Sequence, residues 1–151
     1  MKSLFIALLV AVVVVLVSLI YTRVPGLPEQ DSNKSRTTVQ IREQIIRVTV
    51  ADTEEEREKG LSGRLGLAPD EGMLFEFPED GKYAFWMKDM KFPIDIVWIS
   101  YSGEIVDIWQ ELGPETFPTV YTPRGEARYV LELPAGYVLK YNVRLGDIVR
   151  L

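Results

Sequence analysis

Cysteine and histidine are both absent from the 151 residues. Without cysteine there are no disulfides, no thiol catalysis, no zinc thiolate site and no lipid attachment at a lipobox. Without histidine the commonest general base near neutral pH and the commonest transition-metal ligand are missing too. Any chemistry therefore falls to carboxylates, Lys, Tyr, Ser and Thr. Asparagine is confined to positions 33 and 142, and glutamine to 30, 40, 44 and 110. Few amides alongside many ions point to a heat-adapted source. Basic charge is also in deficit: from Thr38 onward thirteen Lys and Arg face twenty Asp and Glu, a net charge of −7. Nucleic acid and anionic lipid surfaces are poor partners for such a domain. Neither a phosphate-binding glycine loop, nor a nucleophile elbow, nor a metal-ligand spacing is present, so no cofactor and no metal site are expected.

What the chain does have is one long apolar run. Residues 4–20 are broken only by Ser18, follow Lys2 and lead into Tyr21 and Arg23. Seventeen such residues fit a short transmembrane helix. No small-x-small cleavage site follows, which favours an uncleaved anchor over a cleaved signal. Residues 1–23 are accordingly expected to be the anchor or signal segment. Residues 24–37, with two prolines and a glycine, read as a flexible linker, and 38–151 as a single domain. Basic residues counted alone would leave that domain in the cytoplasm. A signal-anchor start is nevertheless more usual than a tiny tail passing outward, so the expectation is single-pass anchoring with the domain outside the cytoplasm.

Along the domain, Val39 and Ile41, and then Ile46, Val48 and Val50, alternate with polar residues as strands do. Thr53 and Glu56 have capping-box spacing, acids fill the first turn, and Gly60 supplies the stop of a short helix. Further strands are expected near 72–77, 83–87, 94–99, 104–109, 129–133 and 148–151. Turns fall at Asp80-Gly81 and Ser102-Gly103, a long proline-bearing loop spans 112–122, and a helical turn spans 137–141. Strand 94–99 is apolar on both faces apart from Asp95, so both faces should be covered. The expected fold class is mainly β: a compact antiparallel barrel or sandwich of about seven short strands with one or two short helices, behind the N-terminal transmembrane helix.

Six motifs stand in order across the domain. They are Glu56-Arg57-x-x-Gly60-Leu61-Ser62-x-Arg64, Gly72-Met73-Leu74-Phe75, Phe85-Trp86-Met87-Lys88, Pro93-Ile94-Asp95-Ile96, Val130-Leu131-Glu132-Leu133-x-Ala135-Gly136 and Gly146-Asp147. In this the chain resembles the family known as domain of unknown function 192, also called uncharacterised protein family 0127. The resemblance implies a compact β-rich domain, often behind a signal or anchor, and carries no activity with it. One position departs from the family pattern: a methionine usually follows Gly-Leu, where Ser62 stands here. If that methionine lines a site in relatives, the site here is more polar or differently packed.

The stretch 85–99, FWMKDMKFPIDIVWI, is too apolar to lie in water, so Lys88 and Asp95 within it need partners or a purpose. Glu132 poses the same question inside another apolar strand, and Arg57 and Arg64 flank a glycine-rich loop. These residues are expected either to converge with Trp86 on one cleft, or to form internal ion pairs, Arg57 with Glu132 or Arg64 with Asp95. Such a cleft would suit a small carboxylate, phosphate or sugar ligand. Asp95 and Glu132, if adjacent, would supply an acid and a base, with Lys88, for a small hydrolase or lyase. Tyr83, Phe85 and Trp86, with Trp109 and Tyr121, offer a stacking wall or ordinary core packing. Met73, Met87 and Met90 offer thioethers to copper(I), or simply fill gaps. The leading expectation is a membrane-anchored, extracytoplasmic small-ligand binding or accessory module, with Arg57, Arg64, Trp86, Lys88, Asp95 and Glu132 as its binding residues. The alternatives are the hydrolase or lyase, and an interaction module for another envelope protein that presents an exposed aromatic patch.

Overall fold

The computed structural model describes residues 37–151. The expected membrane segment lies outside them, and among the described residues no helix is long and apolar enough to cross a membrane. Strands β1 (Thr37–Ile41) and β2 (Gln44–Ala51) form an antiparallel hairpin, turned at Arg42 with φ 53°. Helix α1 (Glu54–Lys59) follows, then β3 (Glu71–Gly81). Thr53 accepts a hydrogen bond from the Glu56 N–H while the Glu56 carboxylate accepts from the Thr53 N–H, so the capping box is complete. Here the antiparallel expectation needs correction, since β3 runs parallel to β2. A helix instead of a tight turn joins the two strands and carries the chain back to the start of the sheet, which only a parallel partner can use.

The remaining elements are β4 (Phe85–Trp86), β5 (Ile94–Ile99), β6 (Ile105–Leu112), a 3₁₀ turn (Pro114–Thr116), β7 (Val120–Tyr121), β8 (Ala127–Pro134), helix α2 (Tyr137–Lys140) and β9 (Val149–Arg150). Seven strands make one curled, half-barrel sheet in the order β6-β5-β8-β3-β2-β1-β9, while β4 and β7 pair separately. The two ends of the large sheet meet. Glu104 bridges Ile148, the Ile105 N–H donates to the Asp147 carbonyl at 3.0 Å, and the Val149 N–H donates to the Gly103 carbonyl at 2.8 Å. Gly103 makes this approach feasible, because at φ +86° an added Cβ would sit 2.6 Å from the Val149 carbonyl oxygen.

Each face of the sheet carries its own apolar cluster. On one face Val39, Ile46, Leu74, Val97 and Leu131 pack with Tyr137 and Val138 of α2. On the other, Met73, Phe75, Ile96, Trp98 and Val130 pack with Leu61, Met87 and Met90 from the connecting segments. All six residues of β5 are buried, because both clusters draw on it.

Asp95 belongs to the first face, opposite Leu133 in the β5–β8 register. Its carboxylate is fully buried and accepts from three backbone N–H groups: Glu111 at 2.8 Å, Gly136 at 3.2 Å and Val138 at 2.8 Å. It therefore fastens the end of β6 and the start of α2 to β5. Asp95→Asn exchanges an acceptor oxygen for a donor that faces other donors, and should lower stability by roughly 2–4 kcal/mol. Urea unfolding at neutral pH measures this, and a loss below about 0.5 kcal/mol would contradict the fastening role.

Candidate functional site

The second face is where the covering segments leave a gap. A cleft of about 730 Å³ opens between α1, the loop after it, the start of β4 and the sheet. Helix α1 contributes Glu54, Arg57, Glu58 and Lys59, and the loop adds Leu61 and Ser62. Phe75 and Phe77 of β3, with Tyr83, Phe85 and Trp86, make the aromatic wall. Lys88, Asp89 and Met90 close one side, and Glu132 of β8 also lines the space.

The wall is ordered by its own contacts. Phe77 and Tyr83 stack at 3.5 Å between centroids, and Phe85 meets Phe75 and Trp98 edge-on at 4.9 and 5.9 Å. The Trp98 indole N–H donates to the Tyr83 carbonyl at 2.8 Å, which ties the approach to β4 onto the sheet. Trp86 stays 53% exposed, with the Lys88 ammonium 5.7 Å from its ring centroid. Ser62 donates to the Lys88 carbonyl at 3.0 Å and the Gly63 N–H to the Asp89 carbonyl at 3.0 Å, so the loop after α1 and the turn after β4 hold each other. Ser62 is thus a polar latch between the two segments.

Arg57 is a fastener as much as a wall. Its guanidinium donates to the carbonyls of Asp52 at 2.6 Å and Glu76 at 2.9 Å, and lies 5.2 Å from the Phe77 centroid. Neither expected ion pair forms among the described residues: Arg57 is not joined to Glu132, nor the exposed Arg64 to Asp95. Glu132 sits opposite Met73 and Ile96, buried among apolar side chains, and its Oε2 has no hydrogen-bond partner. Burial pushes its carboxyl up to about 8, and the nearby charge of Arg64 only partly opposes this. At neutral pH the group is a carboxylic acid able both to donate and to accept.

Of the residues singled out in the sequence, Arg57, Trp86, Lys88 and Glu132 line one cleft, while Arg64 is outside the lining and acts on Glu132 through its charge alone. Asp95 is not part of this gathering. It lies on the opposite face of the sheet from Glu132, so the two cannot form the acid–base pair expected of a hydrolase or lyase. Trp109 and Tyr121 pack on each other at 5.0 Å and do not line the cleft. The three methionines lie in the cluster of the second face, where only Met90 reaches the cleft. Phe77, Lys59 and Asp89 are lining residues that the sequence did not single out. Phe77 left a trace, as the last residue of the strand expected near 72–77.

The DUF192 family model, described as an uncharacterised ACR, matches residues 36–151. Among curated proteins, the chain is 31% identical over 105 residues to a UPF0127 protein of Thermococcus sibiricus, covering 67% of this chain and 63% of the relative. It is 28% identical over 109 residues to a UPF0127 protein of Thermococcus gammatolerans, covering 68% and 64% respectively. The chain thus spans less than two thirds of the length of these relatives. Among solved structures, a Sinorhizobium meliloti protein described as a candidate transcription regulator superposes with TM-score 0.72 and 34% identity, over 75% of this chain and 91% of that one. A Novosphingobium aromaticivorans protein of unknown function gives TM-score 0.73 and 26% identity, over 76% and 84%.

The raised Glu132 value predicts how stability depends on pH. Below about 4.5 the group is neutral whether the chain is folded or not; between about 4.5 and about 8 only the unfolded chain ionises, so stability falls with rising pH. Above both values the loss is complete and levels off. The slope is about 1.4 kcal/mol per pH unit. Glu132→Gln is neutral throughout, so urea unfolding should show it gaining on the parent protein by several kcal/mol as pH rises across that window. A difference that stays constant with pH would mean the carboxyl is hydrated and ordinary.

Proposed function

The chain belongs to the DUF192 family, and on that premise we propose that it is a small-ligand binding or accessory module whose ligand occupies the cleft above Glu132. The observation that carries this reading is the buried Glu132 oxygen without a partner, placed at a space walled by aromatic rings. A polar atom withdrawn from water costs roughly 1–3 kcal/mol unless something bonds it. Within a packed core such an atom is selected against, whereas in a cleft it awaits a ligand group. Trp86, half in water above a packed wall, supplies the apolar contact, and Lys88 beside it supplies charge at the mouth.

The setting proposed for this module is the outer side of a membrane, held by residues 1–23 through the linker, as the sequence expectation has it. The reading as a partner-docking module is favoured by a different observation: Trp86, Phe117 and Val120 are all about half exposed, with Trp86 and Phe117 6.0 Å apart. That patch spans the β4–β7 pair and the end of the 3₁₀ turn before β7, at the cleft's rim.

A thermal-unfolding screen of the full chain with sugars, sugar acids, small carboxylates and metal ions separates the two. A compound that raises the midpoint of the parent protein, and does so much less for Trp86→Ala, supports the cleft. No shift across all classes would overturn ligand binding and favour the rim as a docking surface.

A further inference from the structure

Resting on that reading of the cleft, we propose that its ligand is an uncharged, hydroxyl-bearing ring of the sugar class, bound through a hydroxyl to the Glu132 carboxyl and through its ring to the aromatic wall. Charge argues first. The lining holds three cations, Arg57, Lys59 and Lys88, against three acids other than Glu132, namely Glu54, Glu58 and Asp89. This balance gives the cleft no preference for either sign. Arg64 lies outside the lining, and its field is already directed at Glu132.

The positions of these charges argue further. A cationic ligand would seek the aromatic faces, yet Lys88 is over Trp86 and Arg57 is over Phe77, so it would meet like charge at both. An anionic ligand seated on the floor would need a cation bonded there. Instead it would find a neutral carboxyl that offers a single O–H and no positive charge, and an Arg57 guanidinium already bonded to two backbone carbonyls. A hydroxyl has neither difficulty. It donates to one oxygen of a neutral carboxyl and accepts from the other, the pairing that satisfies both groups at once. Sugars combine such hydroxyls with C–H faces that pack on aromatic rings, here Trp86 and the Phe77–Tyr83 stack.

The test uses one ring in three charge states: D-glucose, D-glucuronate and D-glucosamine at slightly acid pH, with D-galactose and D-galacturonate as a second pair. The full chain is held in a detergent without a sugar headgroup, and binding is read from tryptophan fluorescence and the unfolding midpoint. A neutral sugar should bind at least about tenfold more tightly than its charged counterparts, a difference of about 1.4 kcal/mol. Glu132→Gln, which keeps a donor and an acceptor without charge, should hold affinity within about threefold, while Glu132→Leu should lose about tenfold or more. Trp86→Ala, at an exposed position that leaves folding intact, should also weaken binding.

Tighter binding of the glucuronate or the glucosamine would overturn the uncharged class while leaving the cleft as a binding site. Loss of binding in Glu132→Gln equal to that in Glu132→Leu would overturn the neutral hydroxyl contact. If none of the five binds, the sugar class is rejected, and the wider screen then decides whether the cleft takes any small ligand.

Discussion

A carboxyl held in an apolar cluster without a hydrogen bond to one of its oxygens is the constraint on which the rest of this domain turns. Three acidic side chains are buried among the described residues, Asp95, Asp107 and Glu132. Asp95 meets three backbone N–H groups. Burial alone would raise Asp107, but the Arg124 guanidinium, together with the N–H groups of Arg124 and Ile108, outweighs it and holds the carboxyl below its usual range. Burial pushes Glu132 the other way, since it has only the charge of Arg64 to oppose it. The same fold thus makes two satisfied structural acids and leaves one unsatisfied, and the unsatisfied one is at the cleft.

Holding Glu132 in place requires rigid surroundings, since a looser strand would turn the carboxyl to water and recover its solvation. The rigidity is built from contacts that surround the cleft without filling it. Strand β8 is clamped between β3 and β5, and Arg57 ties α1 to β3 and to the connection that follows β2. The Ser62–Lys88 and Gly63–Asp89 bonds tie the two cleft-side segments together. Asp95, on the far side, holds α2 and the end of β6. It shapes the frame and is remote from the cleft's chemistry.

Local features were legible in the sequence because short-range chemistry determines them. The capping box at Thr53 and Glu56, the stop at Gly60 and the double burial of β5 all follow from residues a few positions apart. The oddity of charge in apolar sequence left convergence on one cleft open beside internal ion pairs, and grouped Arg64 and Asp95 with Arg57, Trp86, Lys88 and Glu132; those two do not line the cleft, and Lys88 is exposed, not embedded. What could not be read was the pairing between distant strands. Asp95 aligns with Leu133 and Ile96 with Glu132, which puts the two acids on opposite faces. A slip of one residue would have put them side by side, and nothing in either strand alone distinguishes those registers. The parallel run of β3 beside β2 was hidden for the same reason, since the direction of return depends on where a six-residue helix leads the chain.

The character of the cleft depends on the protonation of one group. Carbon-13 NMR of the glutamate carboxyls, with Glu132 identified by its loss in Glu132→Gln, follows that group directly as pH is raised. The Glu132 signal should titrate near 8, well apart from the ordinary 4.5. A Glu132 carboxyl that titrates with the surface glutamates would contradict the buried, neutral acid, and with it the cleft as described.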